Sequence, residues 1–330
     1  MHTSEKTNTM KPQKSLLIRY GNVITLLVIL AFIMQGCGPD KKAKTQEIKA
    51  EKPNENIHIT TEIMDFKCPD TILSGWNTFI YHNNSSESHF FLLDKYPEGK
   101  TIQDTKKEVF PPFDRGMDLI NVGKSEDGFT EFGKLPEWYF EVVFSGGSGL
   151  VSPHKSSITT VKLEPGYYIM ECYVKMPNGK FHSSMGMAKP IIVSEEKSGH
   201  EPPIATTTIT ISSTEGINYS GTIRKGEQIF AVEFKDQITH ENFVGHDVNF
   251  VKLADTTKLD DLEKWMNWAD PKGLITPAPE GLIFLGGVND SPAGSVGYFK
   301  VDIEPGNYAF ISEVPNTVKK GMLKTFSVSE

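Results

Sequence analysis

The sequence predicts a mainly β chain built as two tandem β-sandwiches, each with a short helical insertion. Three observations predict it. Short runs rich in Val, Ile, Thr, Phe and Tyr alternate with turns carrying Gly, Asn, Asp and Pro. The chain repeats itself: Val161-Lys162-Leu163-Glu164-Pro165-Gly166-Tyr167-Tyr168 returns as Val301-Asp302-Ile303-Glu304-Pro305-Gly306-Asn307-Tyr308. Apolar residues in the middle of the second copy recur at helical spacing, and the first copy has a candidate helix start in the same place.

Taken in order, the chain opens on an export leader at residues 1–36. Lys11, Lys14 and Arg19 form a basic start, and Val23 to Met34 is an apolar run broken by Thr25. A membrane span needs ~20 apolar residues, so this run fits the core of a signal peptide better. An uncleaved N-terminal anchor is the other reading. Met34-Gln35-Gly36-Cys37 resembles a bacterial lipoprotein cleavage box, with Met where that pattern prefers Leu and Gln where it prefers a smaller residue. The resemblance implies that Cys37 carries lipid and holds the protein on a membrane of the cell envelope, outside the cytoplasm. Residues 37–56, rich in Lys, Glu, Asn and Pro, read as a disordered tether.

Residues 57–194 and 204–330 are the two units. Ile57–Phe66, Thr78–His82, Thr206–Ser212 and Gln228–Phe234 read as strands. His89-Phe90-Phe91-Leu92 returns as His246-Asp247-Val248-Asn249, and Gly146-Gly147 as Gly286-Gly287. Gly186-Met187 returns as Gly321-Met322 before the last strand. Leu259, Leu262, Trp265 and Met266 share one helix face, with Thr257 and Asp260 arranged as a capping box. Thr101 to Asp104 starts a shorter helix that Pro111-Pro112 is expected to stop. Ser145 to Gly149 reads as a flexible turn, since it lacks the Lys and helix of a phosphate cradle, and Ser194 to Pro203 as a linker.

The net charge is −8, becoming −11 without residues 1–36. Such a balance argues against nucleic acid and is compatible with a cationic protein partner. No HExxH, GxSxG, CxxC or Walker motif is present, and no acid–base pair stands out, so an enzyme is not expected.

The chemistry concentrates between Pro165 and Met187. Alternation puts Tyr168, Met170 and Cys172 on one strand face and Tyr167, Ile169, Glu171 and Tyr173 on the other. Gly166-x-Tyr168, Cys172, His182 and Met187, with the earlier His89 after Asn83-Asn84, resemble the ligand pattern of the cupredoxins, the blue-copper proteins and their relatives. The resemblance implies two Greek-key, cupredoxin-like sandwiches and one copper ion held by His89, Cys172, His182 and Met187. A thiolate and two imidazoles in one plane with a weak thioether suit copper in an electron carrier. His182, beside Phe181, would then be the exposed exit towards a redox partner. The loop from Cys172 to His182 is longer than in plastocyanin-like proteins and comparable to the type 1 site of copper nitrite reductases. Those enzymes have a His next to the Cys leading to a second copper, whereas this chain has Glu171 and Tyr173.

Each residue also has a plainer reading. Cys172 can be a small buried hydrophobe, the histidines hydrogen-bonded rim residues, and Met187 a gap filler with Met185 as competitor. A Cys68–Cys172 disulfide would consume the thiolate. Ser312 stands where Cys172 does in the other copy, so the second unit reads as degenerate and metal-free. A metal-free binding or scaffold lipoprotein, or a copper carrier, therefore stands beside the electron-transfer reading.

Overall fold

A register shift after Leu73, followed by Gly75 at a positive φ of 93°, lets one long strand belong to two sheets. That strand is β2 (Thr71–Asn83), preceded by β1 (Ile57–Thr61) and followed by β3 (His89–Lys95), β4 (Val143–Val151), β5 (Lys155–Leu163), β6 (Gly166–Glu171) and β7 (Ala188–Lys197). The computed structural model describes residues 56–330. The leader, Cys37 and all but the last residue of the tether lie outside the described residues.

The start of β2 runs parallel to β7, and its remainder pairs antiparallel with β5 and parallel with β1. β6 lies between β7 and β3, and β3 between β6 and β4. Three pairings, β2 with β5, β2 with β7 and β3 with β6, join strands that are not consecutive in the chain, which is a Greek-key arrangement. The layers meet through aromatic rings: Phe79 of β2 sits 5.3 Å from Phe91 of β3 between centroids.

The second set repeats this wiring. It comprises β8 (Thr207–Ser212), β9 (Gly216–Ser220), β10 (Gly226–Phe234), β11 (Val248–Leu253), β12 (Leu282–Val288), β13 (Val296–Ile303), β14 (Gly306–Ile311) and β15 (Leu323–Val328). β8 is parallel to β10, β10 pairs with β13, and β14 lies between β11 and β15. β9 is an addition to the pattern, paired with β8. Phe230 and Phe299 stack at 4.7 Å in its core.

The two repeated motifs have local physical reasons. In Glu-Pro-Gly-x-Tyr the tyrosine hydroxyl donates back to the glutamate carbonyl, Tyr168 to Glu164 at 2.8 Å and Tyr308 to Glu304 at 2.7 Å. That bond closes the corner between consecutive strands. In Gly-Gly the second glycine faces backbone. A Cβ on Gly147 would lie 2.0 Å from the Phe91 carbonyl oxygen, and one on Gly287 1.9 Å from that of Val248. The Ser145 to Gly149 stretch is therefore part of β4 rather than a flexible turn. Its glycines allow close approach at a register shift between β3 and β4.

The two strand sets join edge to edge. Thr159 pairs with Phe299, Thr160 with Tyr298 and Ile158 with Lys300 across β5 and β13. Ile158 is the repeat equivalent of Tyr298, and Thr160 of Lys300, so the pairing maps onto itself when the copies are exchanged. β4 meets β12 in the same antiparallel sense at Val151 and Leu285. This shared hydrogen bonding leaves neither edge open.

The insertion in the first copy is larger than the sequence suggests. α1 (Ile102–Asp104) has the capping box of Thr101 and Asp104 and runs through a π turn at Thr105–Val109 into α2 (Phe110–Asn121), followed by α3 (Ser125–Phe132). Pro111 and Pro112 do not stop the helix. They occupy the first turn of α2, where missing N–H groups remove little. The insertion packs Ile102 and Tyr96 on Ile169, on the outer face of β6. In the second copy α4 (Leu259–Met266) forms, but Thr257 is no cap; its hydroxyl donates to the Gly281 carbonyl. The expected linker is partly strand, because β7 continues to Lys197 and pairs there with Ser74. Among the described residues no helix is long and apolar enough to cross a membrane.

Gly147→Ala and Gly287→Ala each force a methyl group onto a carbonyl oxygen at a positive φ. Each is expected to cost about 3 kcal/mol or more, read as a lower urea midpoint with an unchanged slope.

Candidate metal centre

The register of β3 with β6 brings the first two candidate ligands together. Leu92 stands opposite Glu171, so Cys172, just past β6, comes up beside the start of β3, where His89 is the first residue. The loop before His89 is stapled by buried Asn83. Its amide donates to the Glu87 and Val151 carbonyls at 2.7 and 2.8 Å, and its oxygen accepts from Ser85.

The long loop after Cys172 folds back by three backbone hydrogen bonds. His182 N donates to Val174 O at 2.8 Å, Met187 N to His182 O at 2.9 Å and Cys172 N to Met187 O at 3.2 Å. His182 and Met187 thereby return to the strand end that carries the cysteine. Loop length, the one departure from a plastocyanin-like spacing, is absorbed by turns at Met176–Gly179 and Phe181–Gly186.

Three donor atoms converge. Cys172 Sγ lies 3.7 Å from His89 Nδ1 and 3.9 Å from His182 Nδ1, and the two nitrogens are 3.2 Å apart. A point equally far from all three lies about 2.1 Å from each, the length of a metal–imidazole bond and close to a metal–thiolate bond. Among the described residues this is the one group of three His, Cys, Asp or Glu donors drawn so tightly together. All three side chains are fully buried.

Burial also sets their charge. It pushes the Cys172 thiol up to about 12, against the backbone N–H groups of Phe90 and Val174, which point at the sulfur and favour the thiolate. Burial lowers His89 to about 4, and burial together with His89 lowers His182 to about 3. Neutral imidazoles are what a metal requires, and a buried thiol ionises when a cation is bound to it. The trigonal His₂Cys donor set fits copper. His182 Nε2 faces Glu87 Oε2 at 3.3 Å.

Met187 is fully buried and tied by backbone to both Cys172 and His182, whereas Met185 is half exposed. Cys68 and Cys172 are both free thiols, so the disulfide alternative is not formed. One expectation is corrected. His182 and Phe181 are not an exposed exit: they are 0 % and 6 % exposed. Trp268 of the second strand set packs on Phe181 at 5.5 Å, a contact that no local sequence pattern encodes. Glu87 and the two sulfur-directed amides were also not foreseen, since nothing in the sequence of a polar loop marks them.

The same frame in the second copy holds different chemistry. Ser312 N donates to Met322 O at 3.1 Å, and Met322 N to Thr317 O at 2.8 Å, so Ser312, Thr317 and Met322 take the places of Cys172, His182 and Met187. Ser312 Oγ donates to Asp247 Oδ1 at 2.8 Å. His246 is fully buried and meets His240 at 2.7 Å between ring nitrogens.

No protein-family model and no curated protein sequence matches the chain. Solved structures similar to it include dithionite-reduced auracyanin from Roseiflexus castenholzii. It is 18% identical over 42% of this chain and 94% of that one, with a TM-score of 0.24. Auracyanin A, a "blue" copper protein from Chloroflexus aurantiacus, is 15% identical over 42% and 98%, with a TM-score of 0.26. Copper nitrite reductase from Nitrosomonas europaea is 12% identical over 83% and 93%, with a TM-score of 0.21.

In the metal-free chain the buried rings of His89 and His182 are expected to stay uncharged from about pH 7 down to about pH 5, where a free histidine is mostly protonated. Histidine-ring NMR checks this, with the two signals assigned by their loss in His89→Asn and His182→Asn.

Proposed function

We propose that the protein is a copper-binding electron carrier of the cell envelope. The observation that carries this is the mutual approach of Cys172 Sγ and the two Nδ1 atoms, 3.2 to 3.9 Å apart in a fully buried pocket. His89, Cys172 and His182 would hold the ion, with Met187 as a weaker fourth donor. Copper held there supplies a one-electron couple. The protein's part is to keep the donors fixed, so that little rearrangement accompanies a change of oxidation state. Asn83 and the three backbone bonds of the 172–187 loop do this. Phe90 and Val174 N–H groups take up part of the thiolate charge, and the closed apolar surroundings exclude water.

In this reading no substrate is transformed, and the second strand set is metal-free because Ser312 and Thr317, in the places of Cys172 and His182, offer neither thiolate nor imidazole. Lipid on Cys37 would keep the carrier on a membrane, facing outside the cytoplasm. A redox partner would approach over Glu87, whose side chain is 28 % exposed beside buried His182. The negative balance of the chain favours a cationic partner face.

Adding Cu(II) to the metal-free full-length chain is expected to give an intense visible absorption with one copper per chain. Cys172→Ser should abolish the band and weaken binding by about a hundredfold or more. Colour that survives Cys172→Ser would end the proposal. Absence of any tight copper site would leave a metal-free scaffold, and tight Cu(I) binding without colour would leave a copper carrier. Met187→Leu should keep the band and raise the reduction potential in voltammetry, because losing a donor disfavours the more highly charged ion.

A further inference from the structure

The strand that carries Cys172 towards the core presents Glu171 to the other side, where the helical insertion and the second strand set leave a cleft. Its cavity volume is about 80 Å³, room for several waters or one small organic group. Its walls are aromatic, with Phe110 and Phe113 of α2, Tyr139 and Phe144 from the first copy and Phe243 and Trp268 from the second. Three acidic residues also line it, Asp94 of β3, Glu171 of β6 and Asp290 just after β12.

Those carboxyls lack partners of opposite charge. Asp94 is 3 % exposed and Asp290 5 % exposed, and Oδ1 of each makes no hydrogen bond. Asp94 and Glu171 interact with each other, and Asp290 is near enough for its charge to act on Asp94. No Lys, Arg or His acts on any of the three among the described residues. Lys175, the one buried lysine among the described residues, is spent on the carbonyls of Trp268 and Asp270 at 2.9 and 2.8 Å. Buried carboxyl oxygens without donors are costly and rare in folded proteins, so these two mark a place for an outside donor.

We propose that this cleft binds a small organic cation bearing a primary ammonium group, its N–H donors meeting Asp94 and Asp290 and its organic part lying among the aromatic rings. A primary ammonium offers three donors, enough for both orphaned oxygens. Aromatic faces attract a cation in a desolvated site and accept an apolar tail. A hard divalent metal is the poorer match. It wants six or more oxygen ligands or a shell of water. The tight cluster of three potential metal donors among the described residues is the His-Cys-His group, not these acids. The inference does not require copper: Glu171 and Cys172 point to opposite faces of the strand, and the loop that carries His182 reaches the cleft through residues such as Phe181 and Ser183 and not through His182 itself.

The test is calorimetric titration of the full-length chain with 2-phenylethylammonium chloride, and with 2-phenylethanol as the uncharged counterpart. The ammonium is expected to bind once per chain and about tenfold or more tighter than the alcohol, with Asp290→Asn removing that preference. Phe243→Ala, on the 39 % exposed rim, should weaken the ammonium about threefold or more. Equal binding of the alcohol would reduce the cleft to an apolar pocket, and no saturable binding would remove it. Displacement of the ammonium by Mg²⁺ or Ca²⁺ would make it a metal site. Each overturns the proposal. Should Asp290→Asn not fold, the ammonium–alcohol comparison on the unaltered chain and the Phe243→Ala result decide the matter. Visible absorption with Cu(II) is read on the same sample, so failure of one site is distinguishable from failure of the other.

Discussion

The candidate centre depends on one backbone hydrogen bond, from Cys172 N–H to the Met187 carbonyl. It joins the two ends of the loop, within which two further backbone bonds hold His182. Closing it places His182 against the sulfur, and the antiparallel register of β3 with β6 places His89 on the other side. Nothing in the donor side chains themselves supplies this order. Three uncharged polar groups facing one another in a dry pocket contribute little attraction, so the surrounding sheet must fix them before any ion arrives.

The second copy shows how much of that frame is independent of its contents. The equivalent bond from Ser312 N–H to Met322 O is kept, and so is the tyrosine corner at Tyr308. The thiol has become a hydroxyl bound to Asp247, and the place of the second imidazole holds Thr317. Fold and donor set are therefore separable, and a functional argument has to be made from the donors. The two copies also complete one another mechanically. Each covers the other's open strand at β5–β13 and β4–β12. Trp268 from one closes over Phe181 of the other.

Alternation along β6 divides the molecule into two chemical compartments. Tyr168, Met170 and Cys172 belong to the sandwich core. Ile169 and Glu171 face the helical insertion, where Ile169 joins Tyr96 and Ile102, and Glu171 meets Asp94. Burial raises the Asp94, Glu171 and Asp290 carboxyls above their ordinary range, most directly by removing water. Groups so disfavoured as anions persist only where packing or a ligand compensates.

By itself the sequence determined the β class and the internal repeat, and it named His89, Cys172 and His182 as candidate donors. These are local properties: period-2 alternation, turn residues at fixed places, and a soft-ligand set spaced along one segment. It also marked Ser312 as the divergent position. Where local reading failed, the missing information was a distant partner. The glycines at 146 and 147 read as a turn because the Phe91 carbonyl that they accommodate lies far away in sequence. The miss at Pro111 and Pro112 is local instead: after the π turn they fall in the first turn of α2, where proline is tolerated. The convergence of three donors, the burial of His182 and the orphaned carboxyls of the cleft were decided by tertiary structure alone. Each needs strands far apart in the chain to meet, and strand pairing is set by register and packing across the whole sheet.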